Sequence, residues 1–116
     1  RRREIYARYR SGLSNLPISF MPDFPDRVPV FHQAIIRTGE RERLQAHLKD
    51  REIDTGIYYP DALHEQEAWK KAGFPRGSFP RAEQYARENL ALPMFAELRD
   101  EEVEYVIESV KAFFGK

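Results

Sequence analysis

Four prolines within one short stretch, Pro17, Pro22, Pro25 and Pro29, limit what this chain can fold into more than any other feature. A proline ring fixes φ and removes a backbone donor, so no helix interior or central strand runs through them. Residues 17–27 therefore read as a loop that separates a short N-terminal arm from a longer body. In the arm, Ile5, Tyr6, Tyr9, Leu13 and Leu16 recur at helical spacing, which predicts an amphipathic helix to about Ser14. Its apolar edge needs a partner surface.

Beyond the loop, residues 28–36 (VPVFHQAII) are β-branched and aromatic with apolar side chains on both parities, the pattern of a strand covered on both faces. Residues 40–52 read as a helix with Leu44 and Leu48 inward. Residues 53–59 (IDTGIYY) read as a second strand ended by Pro60, and 64–71 as a helix containing Trp69 and closed by Gly73. Pro80 suits a first helical position, with Ala82, Tyr85, Ala86, Asn89 and Leu90 as the stripe that follows. Residues 92–95 are a short extended piece. Asp100 caps a last helix whose stripe of Val103, Val106, Ile107, Val110, Phe113 and Phe114 is the strongest periodic signal. Two or three strands interleaved with four or five helices imply a small α/β (α+β two-layer) fold. A chain of 116 residues allows one such domain with one modest core.

Composition narrows the chemistry. There is no cysteine, which removes disulfides, thiolate zinc sites, iron–sulfur clusters and cysteine nucleophiles, and fits an expected cytoplasmic location. With 41% hydrophobic and 33% charged residues, the chain is too apolar for disorder and too charged for a membrane span. Nineteen Lys+Arg balance nineteen Asp+Glu, although residues 1–16 carry five Arg against one Glu and residues 97–116 six acids against three bases. Without a basic stripe elsewhere, nucleic acid is not an expected partner. His64-Glu65 opens like a zinc-protease HExxH helix, but Ala68 stands where the second imidazole belongs, and no metal is expected. GxGxxG, GxxxxGK[ST] and GxSxG do not occur, and no nucleophile, base and orienter stand together. The densest candidate is residues 55–69, TGIYYPDALHEQEAW, just after a strand end, where ligand loops sit. Residue types alone favour a plainer reading, a strand–turn–helix corner with Tyr58 or Tyr59 in the core.

The run Asp54-Thr55-Gly56-Ile57-Tyr58-Tyr59-Pro60, followed by Leu63-His64-x-Gln66, resembles a segment of the DegT-type nucleotide-sugar aminotransferases. Other pieces agree in order and spacing: Phe31-His32-Gln33 to Ile36-Arg37, Arg43 to Leu48, Phe79-Pro80 with Ala82-Glu83, Leu90-x-Leu92-Pro93-Met94, and Glu102-Val103-x-Tyr105-Val106. Residues 2–16 resemble the family's linking helix. Three positions depart from the pattern: Tyr58 stands where His is common, Ala62 replaces a second proline, and Trp69 sits where Tyr or Phe is usual.

The resemblance implies the small C-terminal domain of a fold-type I pyridoxal-phosphate (PLP) enzyme, a short sheet packed with four or five helices. Residues 1–16 would be the linking helix from a large domain, and 17–116 the small domain itself. The parent enzyme would be a homodimer that moves an amino group from glutamate or glutamine to a nucleotide-linked keto-sugar, in amino-sugar biosynthesis. The large domain would hold PLP and the Schiff-base lysine; Lys49, Lys70, Lys71, Lys111 and Lys116 match none of its positions, so this segment alone would not transaminate. Tyr58, Tyr59 and His64 are the implied contacts to the nucleotide-sugar or its phosphates. Arg37 is a candidate for the donor's carboxylate, beside the plainer reading of a surface arginine at a strand end. Two alternatives stay open, a PLP-dependent sugar dehydratase of the same family and a non-catalytic interaction module. Because the chain opens on Arg1 rather than Met, it reads as a piece of something longer. On that reading the first helix, with Ile5, Tyr9 and Leu13, packs on absent protein and leaves an apolar patch here.

Overall fold

The computed structural model describes all 116 residues. The strongest sequence stripe forms the longest helix, α4 (Asp100–Phe113), which buries Val103, Val106, Ile107 and Val110. Its start differs in one respect from expectation. Asp100 is the first helical residue rather than the cap, and the Glu102 carboxylate accepts from the Arg99 backbone N–H at 2.8 Å, satisfying one orphan donor.

α1 (Arg2–Gly12) packs on α4. Ile5, Tyr9 and Leu13 are fully buried in the chain's own core, which corrects the expectation of an uncovered apolar face. Two features explain the fit. A Cβ on Gly12 would lie 2.9 Å from Ile107 Cγ2, so the missing side chain lets the helices approach. The basic start of the chain also meets its acidic end: Arg8 pairs with Asp100 at 2.7 Å and Glu104 at 3.5 Å, and Arg1 also pairs with Asp100. The uneven charge is thus an intramolecular complement.

The sheet has three antiparallel strands in the order β1 (Ser19–Phe20), β2 (Ala34–Arg37), β3 (Asn89–Leu92). β2 and β3 pair Ala34 with Leu92 through Arg37 with Asn89. The fold class is as expected, but strand placement is corrected in three places. Residues 28–33 are not strand; Val28 and Val30 are more than two-thirds exposed, and Phe31, at φ 45°, turns its ring onto Tyr6, centroids 3.7 Å apart. Residues 53–59 supply a single bridge, Gly56 to Ala91, instead of a strand. Residues 89–92, read partly as helix, are wholly buried β3. The loop of residues 17–27 also contributes β1.

α2 (Arg41–Lys49) buries Leu44 and Leu48 against α4. The expected helix over 64–71 is two 3₁₀ turns, Leu63–Glu65 and Glu67–Ala72, ended by Gly73 in the left-handed region at φ 75°. α3 (Pro80–Glu88) starts on its proline as expected. No helix is long and apolar enough to cross a membrane.

Candidate functional site

α3 and the first residue of β3 form one backing, residues 83–89, to which every sequence-selected site residue is tied. At the start of α3, Glu83 is buried and its Oε1 accepts from His64 Nε2 at 2.8 Å and from the Gly77 N–H at 2.7 Å. Burial pushes the Glu83 carboxyl up, but bonds from the Gly77 N–H, His64 and the Phe79 N–H outweigh it and hold it below its ordinary value. His64 is itself buried, edge-on to Phe79. Glu65 completes a group of three ligand-type side chains with His64 and Glu83, with Arg76 3.3 Å from its carboxylate.

At the end of α3, Glu88 accepts from Arg37 Nη2 at 2.6 Å and Nε at 3.2 Å. A hydrogen bond from Gln84 is the largest influence on its carboxyl; burial pushes it up, and Arg37 joins Gln84 in holding it below its ordinary value. Arg37 is thus engaged by one carboxylate already, at the last residue of the central strand.

The next residue, Asn89, is fully buried and makes four hydrogen bonds. Its Oδ1 accepts from the Tyr58 N–H at 2.7 Å; its Nδ2 donates to the carbonyls of Tyr59 (3.1 Å), Tyr85 (2.9 Å) and Ala86 (3.3 Å). This is why 53–59 does not continue as a strand: a side chain takes the donor that a ladder carbonyl would otherwise take. The Tyr58–Tyr59 peptide is cis. The two rings stand perpendicular with centroids 6.0 Å apart, and both are exposed, Tyr58 at 40% and Tyr59 at 67%. Neither packs in the core, contrary to the plainer reading of the corner.

Two clefts flank this backing. The first, of about 280 Å³, is walled by Tyr58, Thr55 and Gly56 on one side and by His32, Gln33 and Pro93 among others. The second, of about 300 Å³, is almost entirely apolar: Leu63, Trp69, Phe74, Phe79 and Ala82, with His64 at its wall. No lysine lines either cleft, and Lys70 and Lys111 pair with Glu67 and Glu108.

A family model, the DegT/DnrJ/EryC1/StrS aminotransferase family, matches residues 1–111. The chain belongs to that family. A "Pleiotropic regulatory protein" of Geobacillus stearothermophilus is 46% identical over 88 residues, 76% of this chain and 24% of the relative. The "dTDP-3-amino-3,4,6-trideoxy-alpha-D-glucose transaminase" of Streptomyces venezuelae is 40% identical over 112 residues, 96% of this chain and 30% of that protein. A crystal structure of S. venezuelae DesV with a ketimine intermediate superposes on the whole chain with a TM-score of 0.95, at 38% identity, over 32% of its own length. The chain therefore spans about a quarter to a third of the proteins it matches.

Aminotransferases of this family depend on PLP. The cofactor needs a lysine amine, an acid for its ring nitrogen and a phosphate cradle. No lysine amine lines either cleft, so the residues around them do not fit the cofactor.

Sequence reading picked out Tyr58, Tyr59, His64 and Arg37 but missed what holds them. Glu83 enters the sequence reading through the Ala82-Glu83 pair, and Asn89 as part of the helical stripe after Pro80. The usable signal was Asn89 itself, a polar residue at a core position that must find partners.

Proposed function

We propose that residues 1–116 form the substrate-facing small domain of a PLP-dependent aminotransferase that moves an amino group from glutamate or glutamine to a nucleotide-linked keto-sugar. Residues 1–16 link it to a large domain that carries PLP and the reactive lysine; residues 17–116 are the small domain, and the whole works as a cytoplasmic homodimer. PLP supplies the amino-group storage and the electron sink. This chain's residues bind and orient the sugar.

The observation that carries the reading is the pair of exposed phenols, Tyr58 and Tyr59, held from behind by a fully buried asparagine. Phenols both donate and accept, which suits an oxygen-rich sugar or its phosphates. His64, with one nitrogen on Glu83, presents its ring at the second cleft. Arg37 receives the donor's carboxylate by exchanging Glu88 for it. The transaminase named for a relative of 40% identity supports the sugar reading over the dehydratase or a non-catalytic module.

The test is Tyr58→Phe and Tyr59→Phe in the longer natural protein that contains this segment. Each is expected to raise KM for the nucleotide-sugar by roughly 3- to 10-fold, the worth of one hydrogen bond, and to leave the reaction with glutamate unchanged. Unchanged sugar kinetics in both variants would remove these phenols from the site.

A further inference from the structure

We propose that Gly56 and Asn89 are positioning residues that fix the Tyr58 phenol at the edge of the first cleft for the sugar substrate. The inference rests on the reading that Tyr58 touches that substrate, and extends it to the residues that hold the Tyr58 backbone and ring.

An exposed tyrosine on a loop is free to rotate unless something fixes its backbone and its ring. Asn89 does the first: it receives the Tyr58 N–H and donates to the Tyr59 carbonyl, so the dipeptide is bracketed by one buried amide. Asn89 is in turn immobilised by the Tyr85 and Ala86 carbonyls at the end of α3. Gly56 does the second. A Cβ built there would lie 2.6 Å from Tyr58 Cε2 and 2.8 Å from both Cζ and the phenol oxygen, so the outer part of the ring occupies the space a side chain would fill. Gly56 cannot back away, because it exchanges two backbone hydrogen bonds with Ala91, at 3.1 and 2.7 Å. Its φ is not in the left-handed region, so the demand at position 56 is for space and not for backbone freedom. Alanine therefore fits the backbone of residue 56, and the ring is what moves.

The test uses the longer PLP-loaded protein with dTDP-3-amino-3,4,6-trideoxy-α-D-glucose as amino-sugar probe, and crystal structures of the variants. Gly56→Ala is expected to swing the Tyr58 ring off position 56 and to raise KM for the probe by about 3- to 10-fold, with the glutamate reaction within about twofold of wild type. Asn89→Leu is expected to act in the same direction. Should that variant fold poorly, Gly56→Ala, which disturbs no buried polar group, decides. In a Tyr58→Ala background Gly56→Ala is expected to add nothing, because its effect runs through the ring. An unmoved ring in Gly56→Ala, or a KM rise that persists undiminished in the Tyr58→Ala background, overturns the proposal. A wild-type KM in Tyr58→Ala alone sinks the contact reading instead, while ring position in the crystal still decides whether Gly56 and Asn89 hold it. If wild type does not turn over the probe, that same ring position decides alone.

Discussion

Glu83 is the residue on which the corner turns. Its carboxylate is buried beside His64 and accepts two backbone N–H groups, and its folded pKa lies below its usual 4.5. A depressed carboxylate contributes stability that is present above the unfolded value and lost as pH falls through the folded one. Thermal melting should therefore lose ground below about pH 4.5, with residues 63–79 loosening first. Glu83→Gln removes the titration: its melting temperature should be lower than wild type at pH 7 and should converge with it in acid. Parallel pH curves for the two proteins would show that Glu83 is not the group responsible. Arg37 is a different case. Its pair with Glu88 is about a third exposed, so solvent screens it, and Arg37→Met should cost less than about 1 kcal/mol in a chemical melt. A larger loss would mean that Arg37 is structural rather than available to a donor carboxylate.

Among the elements, α1 differs from expectation in the surface that covers it. The 3.6-residue period correctly announced a helix with one apolar face, but periodicity says nothing about which surface covers that face. The cover is α4, brought close by Gly12 and by the Arg1 and Arg8 pairs with Asp100. Leu13→Ala should then cost about 2–5 kcal/mol in this chain alone, the usual range for a buried leucine. A linker helix that waits for an absent surface would lose almost nothing. The strands were legible for a similar reason and illegible for another. Ile36 and Leu90 are apolar at core positions, and their strands or helices are where apolar runs occur. The valines at 28 and 30 have the same composition, yet Pro29 and the turned Phe31 keep them out of any ladder. Likewise the run at 53–59 has strand composition, but the Asn89 side chain intercepts its pairing. Tertiary partners of this kind leave no local signature.

For the molecule as a whole, the family motifs were more legible than the fold details, because they record residues at fixed spacing whatever the local conformation. Tyr58, Tyr59 and His64 were selected as candidates that way. Their supports, Glu83, Glu88 and Asn89, lie in one seven-residue stretch that only the folded chain shows to be a common backing. The same scale sets the limit of this segment's chemistry. With no lysine in either cleft, the 116-residue chain mixed with PLP and treated with borohydride should take up no stoichiometric label. The most direct test of the account is the visible spectrum of the longest natural protein that contains residues 1–116. The account predicts a bound-cofactor band that changes on adding glutamate or glutamine and is fixed by borohydride at a lysine outside this segment. A bound-cofactor band that ignores both reagents, or no band at all, would contradict it.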